Sequence, residues 1–227
     1  MFNLGAALSR GFGAADYVGS IPLEFAPVGI TVSPGGRWLY ATSEVASRAA
    51  TPGKPVAGPG GPLSGGTLTV IDLRRAETDP ARSVVATVDA GCQPVRVVTA
   101  ADGTQVWVTA RASDDVLCFA AARLVSDPSR ALVAVVRVGE APVGLAAVDG
   151  GSLVVVADSN RFGAAGATSD LDVAAALAGR PAVTGHVRAG LFPRDMTLAP
   201  GGMLLVSNFD SGQVEAVDVA TIPGAAG

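Results

Sequence analysis

Short apolar runs separated by clusters of Gly, Pro and Asp dominate the chain, and they follow a strand pattern rather than a helical period. Trp38-Leu-Tyr-Ala-Thr42, Val106-Trp-Val-Thr109, Leu153-Val-Val-Val156 and Leu204-Leu-Val-Ser207 read as strands. Each follows a segment that opens with Pro and closes on Gly. These segments are Pro27-Val-Gly-Ile-Thr-Val-Ser-Pro-Gly-Gly36, Pro94-Val-Arg-Val-Val-Thr-Ala-Ala-Asp-Gly103, Pro142-Val-Gly-Leu-Ala-Ala-Val-Asp-Gly-Gly151 and Pro193-Arg-Asp-Met-Thr-Leu-Ala-Pro-Gly-Gly202. The Pro-to-Gly separation is nine positions each time. Pro cannot donate to a ladder, so it marks the start of a strand a. The Gly cluster supplies the positive φ of a tight turn, and the second run returns antiparallel as strand b.

A second marker follows, an Asp or Asn between apolar residues: Phe2-Asn3-Leu4, Ile71-Asp72-Leu73, Leu171-Asp172-Val173 and Val217-Asp218-Val219. Cys118-Phe119-Ala120 occupies that register after Pro94. The marker is read as the end of a strand c, its side chain bonding the backbone of the following turn. A fourth run precedes each next Pro and is read as strand d: Asp16 to Ile21, Ser83 to Val88, Leu132 to Val136 and Val183 to Val187. Ala6 to Gly13 and Val173 to Gly179 have a helical look, but their place in the repeat makes them c–d connections.

A repeat of four antiparallel strands is the unit of a β-propeller blade. The expected fold is all-β, a β-propeller of about four such blades, either a partial propeller or a closed four-blade ring. Residues 1–227 read as one domain, with a partial blade at about 1–25 and blades at about 27–90, 94–139, 142–189 and 193–222. The separation from the turn Gly to the strand c marker is 36, 16, 21 and 16 positions, so length variation concentrates in the b–c connection. The b–c and d–a loops share one face of a propeller, and insertions on one face mark it for function. The longest is a Pro/Gly-rich insertion at 44–66.

The repeat resembles the YVTN-type β-propeller repeat of the lactonase-like superfamily, over nearly the whole chain from Phe2 to Asp218. Leu205-Val-Ser-Asn208 and Gly212-Gln-Val-Glu-Ala-Val-Asp218 carry the likeness clearly. The resemblance implies seven blades, so the chain is expected to be an N-terminally truncated member. It also implies a binding scaffold or a lactone hydrolase, with an inactive fragment of a larger propeller as a further alternative, and it leans toward an extracellular or periplasmic setting. Residues 1–10 show no signal-peptide pattern.

Composition narrows the chemistry. The 227 residues are 49% hydrophobic and 16% charged, with 29 Gly, 15 Pro and a net charge of −4. A mildly acidic chain lacks the basic footprint of a nucleic-acid binder, and no apolar run is long enough to span a bilayer. The single histidine, His186, falls in an outer strand, which excludes His-ligated haem or copper. Cys92 and Cys118 read as free thiols. Trp38 and Trp107 read as core residues at equivalent depth. GxSxG, P-loop and HExxH motifs are absent.

The loop-face polar residues are the site candidates. Glu44, Arg96, Arg111, Asp158, Asn160, Arg194, Asp195 and Asn208 form the ligand-binding set, with Ser43, Ser159, Arg161 and Asp210 beside them. Arg96 and Asp195 sit two residues after Pro, where the other blades have Gly29 and Gly144, and that position is expected to line the channel. A ring of opposite charges there suits a small polar ligand, a glycan or a protein; the alternative, which the residue types favour, is a set of solvated rim residues and local ion pairs. A lactonase would need a metal or an acid/base pair. Glu44, Asp158, Asn160, Asp195 and Asn208 are the oxygen donors a calcium ion would draw on, though their spacing does not require one. No other cofactor is expected. Uncovered strand edges at the two ends of an open arc would favour self-association.

Overall fold

The computed structural model describes residues 1–46, 56–58, 61–63, 65–151, 153–161, 169–177 and 180–222. About half of the Pro/Gly-rich insertion falls outside them. The chain opens with helix α1 (Leu4–Arg10), then strands β1 (Phe25–Val32) and β2 (Trp38–Val45). A two-stranded ribbon follows, β3 (Val56–Gly58) and β4 (Gly61–Leu63), then β5 (Gly65–Asp72), helix α2 (Leu73–Ala76) and β6 (Val84–Cys92). The second unit is β7 (Pro94–Thr99), β8 (Gln105–Ala110), β9 (Asp115–Ala120), helix α3 (Ala121–Ser126) and β10 (Leu132–Arg137). The third is β11 (Pro142–Val148), β12 (Leu153–Asp158), β13 (Ser169–Leu177) and β14 (Arg180–Ala189). The last is β15 (Pro193–Ala199), β16 (Met203–Asn208) and β17 (Gln213–Asp218).

These strands form three four-stranded antiparallel sheets, β1-β2-β5-β6, β7-β8-β9-β10 and β11-β12-β13-β14, and a three-stranded sheet β15-β16-β17. They are four blades of a β-propeller, the first three in the a-b-c-d order the repeat predicts and the last with a, b and c, and the described strands do not close into a ring. Each a–b turn places glycine where only glycine is at ease, with Gly36 at φ +68° and Gly103 at φ +72°.

The core lies between blades. Tyr40, Leu68 and Val70 of the first blade pack on Val97, Val106, Val108 and Phe119 of the second. Trp107, Val116 and Cys118 pack on Leu145, Val154 and Val156 of the third. Val155 and Ala157 pack on Met196, Leu204 and Val206 of the fourth. Burying each large side chain contributes about 1.5–3 kcal/mol, so the stack of faces is the main source of stability.

The exposed ends show the same logic. Ile30, Val97, Leu145 and Met196 hold one repeat position. The last three are 4%, 4% and 9% exposed against a preceding blade, whereas Ile30 is 70% exposed. At the other end Val214 is 70% exposed, whereas its counterparts Leu68 and Val116 are fully buried against a following blade.

Several expectations need correction. Asp16 to Ile21 forms no strand. It makes one bridge, Phe2 to Tyr17, and the segment packs Met1, Ile21 and Leu23 over Ala41, Ile71 and Ala76 of the first blade. The stretch from Ala6 does contain a helix, α1, which connects the two bridge partners as α2 and α3 connect c to d. The strand c marker holds for Asn3, Asp72 and Asp218, whose side chains accept from the backbone of Ala6 (3.0 Å), Arg75 (3.2 Å) and Ala220 (3.0 Å). In the second blade the register is one residue later: Ala120 precedes α3 and pairs with Gln105, as Asp72 precedes α2 and pairs with Trp38. In the third, Asp172 lies inside β13, opposite Val156, because that strand runs on to Leu177.

Candidate functional site

The d–a and b–c loops meet at the end of each blade where strand a begins. Backbone geometry there repeats in all four blades. The residue before each leading Pro is left-handed: Ala26 at φ +53°, Gln93 at +51°, Ala141 at +52° and Phe192 at +53°. Such backbone costs about 1–3 kcal/mol in a non-glycine residue and persists only where its surroundings hold it. The carbonyls of Gln93, Ala141 and Phe192 accept from the N–H of Arg111 (3.1 Å), Ser159 (3.3 Å) and Phe209 (2.9 Å). A register shift in strand a follows each Pro. Nothing in the identities Ala, Gln, Ala and Phe signals this conformation, so sequence reasoning missed it.

At the shift, the freed N–H of Gly29, Arg96 and Asp195 donates to a strand b hydroxyl: Thr42 (3.0 Å), Thr109 (3.0 Å) and Ser207 (3.2 Å). Thr42 and Thr109 donate onward to the carbonyls of Val95 (3.0 Å) and Val143 (3.2 Å) in the next blade. The neighbouring strands a are therefore pressed together. A Cβ on Gly29 would stand 2.3 Å from the Val95 carbonyl oxygen, and one on Gly144 would stand 3.0 Å from that of Arg194. The glycines at this position answer to blade packing, while Arg96 and Asp195 carry charge into the space their counterparts leave.

The candidate residues form separate pairs. Arg96 of the second blade meets Asp195 of the fourth at 3.6 Å. Glu44 of the first meets Arg111 of the second at 3.1 Å, and Arg111 also donates to the Gln93 side-chain oxygen at 3.0 Å. Arg194 lies over the rings of Phe209 (5.5 Å) and Phe192 (6.0 Å), which make an edge contact with each other at 5.4 Å. Asp158 and Asn208 end their strands b, buried and opposite the leading Pro of each blade. Asn160 is half-buried at φ +46°, its N–H donating to the Glu140 carbonyl at 3.0 Å. Arg161 and Asp210 are exposed turn residues, and Ser159 donates to the Ala141 carbonyl at 2.7 Å.

Buried polar atoms without partners gather at this end. Ser43 Oγ, Thr67 Oγ1, Arg111 Nε and both amide atoms of Asn208 have no hydrogen-bond partner among the described residues. Each such atom costs about 1–3 kcal/mol unless water or a ligand satisfies it. Among the described residues, no three His, Cys, Asp or Glu side chains gather as a metal-binding group.

Other titrating groups lie apart from these pairs. Asp115, which opens β9, has its carboxyl raised above the usual carboxylate range by burial, with Arg137 opposing at 3.8 Å. Both thiols are free and buried, and burial pushes Cys118 up to about 12. His186 is exposed in β14. No described helix is long and apolar enough to cross a membrane.

The opposite face holds a groove of about 450 Å³ that the sequence reading did not anticipate. It lies between the a–b turns of the first two blades and α3, and Trp38 forms one wall. Trp107 is fully buried, but Trp38 sits two repeat positions away, level with Gln105, half-buried beneath the Arg37 guanidinium at 4.5 Å. Tyr40 is the true counterpart of Trp107.

No protein-family model and no curated protein sequence matches the chain. Solved β-propeller structures do. The chain is similar to hydrazine synthase of Kuenenia stuttgartiensis, with a TM-score of 0.63 and 19% identity over 93% of this chain and 50% of that one. It is similar to a candidate 6-phosphogluconolactonase of Bacteroides uniformis, with a TM-score of 0.56 and 14% identity over 89% of this chain and 59% of that one. It is also similar to the Cps50 (Swd1) β-propeller domain of Myceliophteria thermophila, with a TM-score of 0.56 and 13% identity over 85% of this chain and 54% of that one. At these identities the likeness is one of fold, and the chain spans between half and three-fifths of each.

Proposed function

We propose that the d–a/b–c face of this β-propeller is a non-catalytic binding face for a small polar ligand, a glycan or a protein. The observation that supports the reading most is the set of buried, unpartnered polar atoms beneath it, Ser43 Oγ, Thr67 Oγ1, Arg111 Nε and the Asn208 amide. The candidate charges meanwhile neutralise one another as Glu44–Arg111 and Arg96–Asp195. Paired charges are suited to orienting a polar ligand and poorly suited to abstracting a proton. The test is a thermal-shift and calorimetry screen of sugars, sugar acids and glycans against the wild type and Asn208→Ala. Saturable binding that the substitution weakens, with the ligand recovered unchanged, would support the reading. Failure of every class to bind would sink the small-ligand and glycan forms of the reading and leave a protein as the ligand.

The second reading is a lactone hydrolase, calcium-assisted in one form. It draws on the YVTN-like repeat and on the likeness to the candidate 6-phosphogluconolactonase. Continuous titration of acid release from sugar lactones, with and without calcium, decides it: turnover lost in Glu44→Gln would favour the hydrolase over simple binding. The exposed Ile30 and Val214 at the two ends of the arc support self-association as a further property, which light scattering over a concentration series would detect.

A further inference from the structure

We propose that the groove between the first two blades, on the a–b-turn face, binds a proline-rich peptide in the polyproline II conformation. The groove is about 450 Å³ in volume, and its apolar walls are the Trp38 ring, Pro34 and, on α3, Val125. Its floor carries Tyr40, only 1% exposed, whose ring fills the inter-blade core. The Tyr40 hydroxyl and the Trp38 indole N–H take part in no hydrogen bond among the described residues. Arg37, stacked on Trp38, adds further donors at the rim.

Two accepting side chains of the groove, Asp102 and Ser33, already hold partners within the chain. The Asp102 carboxylate accepts from the Thr104 backbone at 2.9 Å and from its hydroxyl at 2.8 Å, and Ser33 Oγ accepts from the Trp38 backbone at 3.0 Å. The groove therefore offers two unengaged donors, the Tyr40 hydroxyl and the Trp38 indole N–H, over flat aromatic surface. An ordinary extended peptide would bring N–H groups that these donors cannot satisfy. Successive prolines bring carbonyl acceptors and no N–H, with a backbone already held in one conformation, so little ordering entropy opposes binding. Burial raises the Tyr40 hydroxyl above its ordinary range, which keeps it a neutral donor.

Tryptophan fluorescence tests the proposal directly, because Trp107 is fully buried and Trp38 is the tryptophan in the groove. The expected result with a decaproline peptide is a saturable shift in emission, with no response to a Gly-Ser peptide of equal length. Tyr40→Phe keeps the ring and removes the donor. It is expected to keep the wild-type circular dichroism spectrum and to weaken the peptide's affinity about tenfold. No saturable change, an equal response to the Gly-Ser peptide, or unchanged affinity in folded Tyr40→Phe would each overturn the proposal.

Discussion

Arg96 and Asp195 hold the same repeat position two blades apart, and their side chains meet at 3.6 Å with Gly144 holding that position in the blade between. Arg96 is 30% exposed and Asp195 is 62% exposed. A pair this open to water contributes about 0–1 kcal/mol to stability. Arg96→Ala is therefore expected to leave the thermal midpoint nearly unchanged while weakening any ligand held at the channel mouth. The charge-swapped double variant, Arg96→Asp with Asp195→Arg, should melt like the wild type. A fall of several kcal/mol in either would mean that the pair holds the blades together.

The glycines at that position should behave in the opposite way. A Cβ at residue 29 would meet the Val95 carbonyl oxygen at 2.3 Å and Thr42 Oγ1 at 2.8 Å. At residue 144 the nearest atoms stand at 3.0 Å. Gly29→Ala is expected to cost about 1–3 kcal/mol through overpacking, and Gly144→Ala less. Urea denaturation of the two variants gives the order, and a larger cost at 144 would contradict the packing account.

Ile30 and Leu145 are equivalent in the repeat, but one is 70% exposed and the other 4%. Leu145→Ala should cost about 2–5 kcal/mol. Ile30→Ala should cost less than about 0.5 kcal/mol in a monomer. Denaturation at low protein concentration tests both. If Ile30→Ala destabilises only at high concentration, and light scattering shows smaller particles than for the wild type, that face mediates self-association.

The repeat was legible because it rests on residues with strong local physics. Pro94, Pro142 and Pro193 start β7, β11 and β15, and Asp72 and Asp218 bond the turns beyond their strands. What sequence alone missed depends on neighbours in space. Asp16 to Ile21 looks like a strand but finds one bridge, at Tyr17. Trp38 and Trp107 look alike until strand register separates them by two positions. The left-handed backbone at Gln93 and Phe192 is set by hydrogen bonds to the next strand, so side-chain identity carries no trace of it. The pairing of Arg96 with Asp195 joins two blades across a third, and residue types alone could suggest the position but not the partner.

Cys118 gives the fold an alkaline limit. Burial pushes its thiol up to about 12, whereas an unfolded chain ionises it near 8.5. The folded state holds the proton more tightly, so the stability this thiol contributes is fully present below pH 8.5 and is lost as pH rises toward 12. In that window the fall approaches about 1.4 kcal/mol per pH unit. Urea denaturation from pH 7 to 11 should show it, and Cys118→Ala should flatten the Cys118 part of the slope. The same burial predicts that Cys118 resists thiol reagents until the chain unfolds.

The helix that follows strand c offers a gain rather than a loss. Asp72 begins α2 by accepting from the Arg75 N–H at 3.2 Å, whereas α3 begins at Ala120 with no side-chain acceptor. The two positions share extended backbone, with φ −79° and ψ 108° at Asp72 and φ −73° and ψ 112° at Ala120. Ala120→Asp can therefore supply the missing cap without moving the chain. The expected gain is about 0.5–2 kcal/mol, and Asp72→Ala should lose a similar amount. Parallel thermal melts of the two variants measure both. A gain in one matched by a loss in the other would show that the departure from the Asx marker in the second blade is a local weakness, with no structural need for alanine. Destabilisation by Ala120→Asp would instead show that the half-buried site cannot admit a carboxylate.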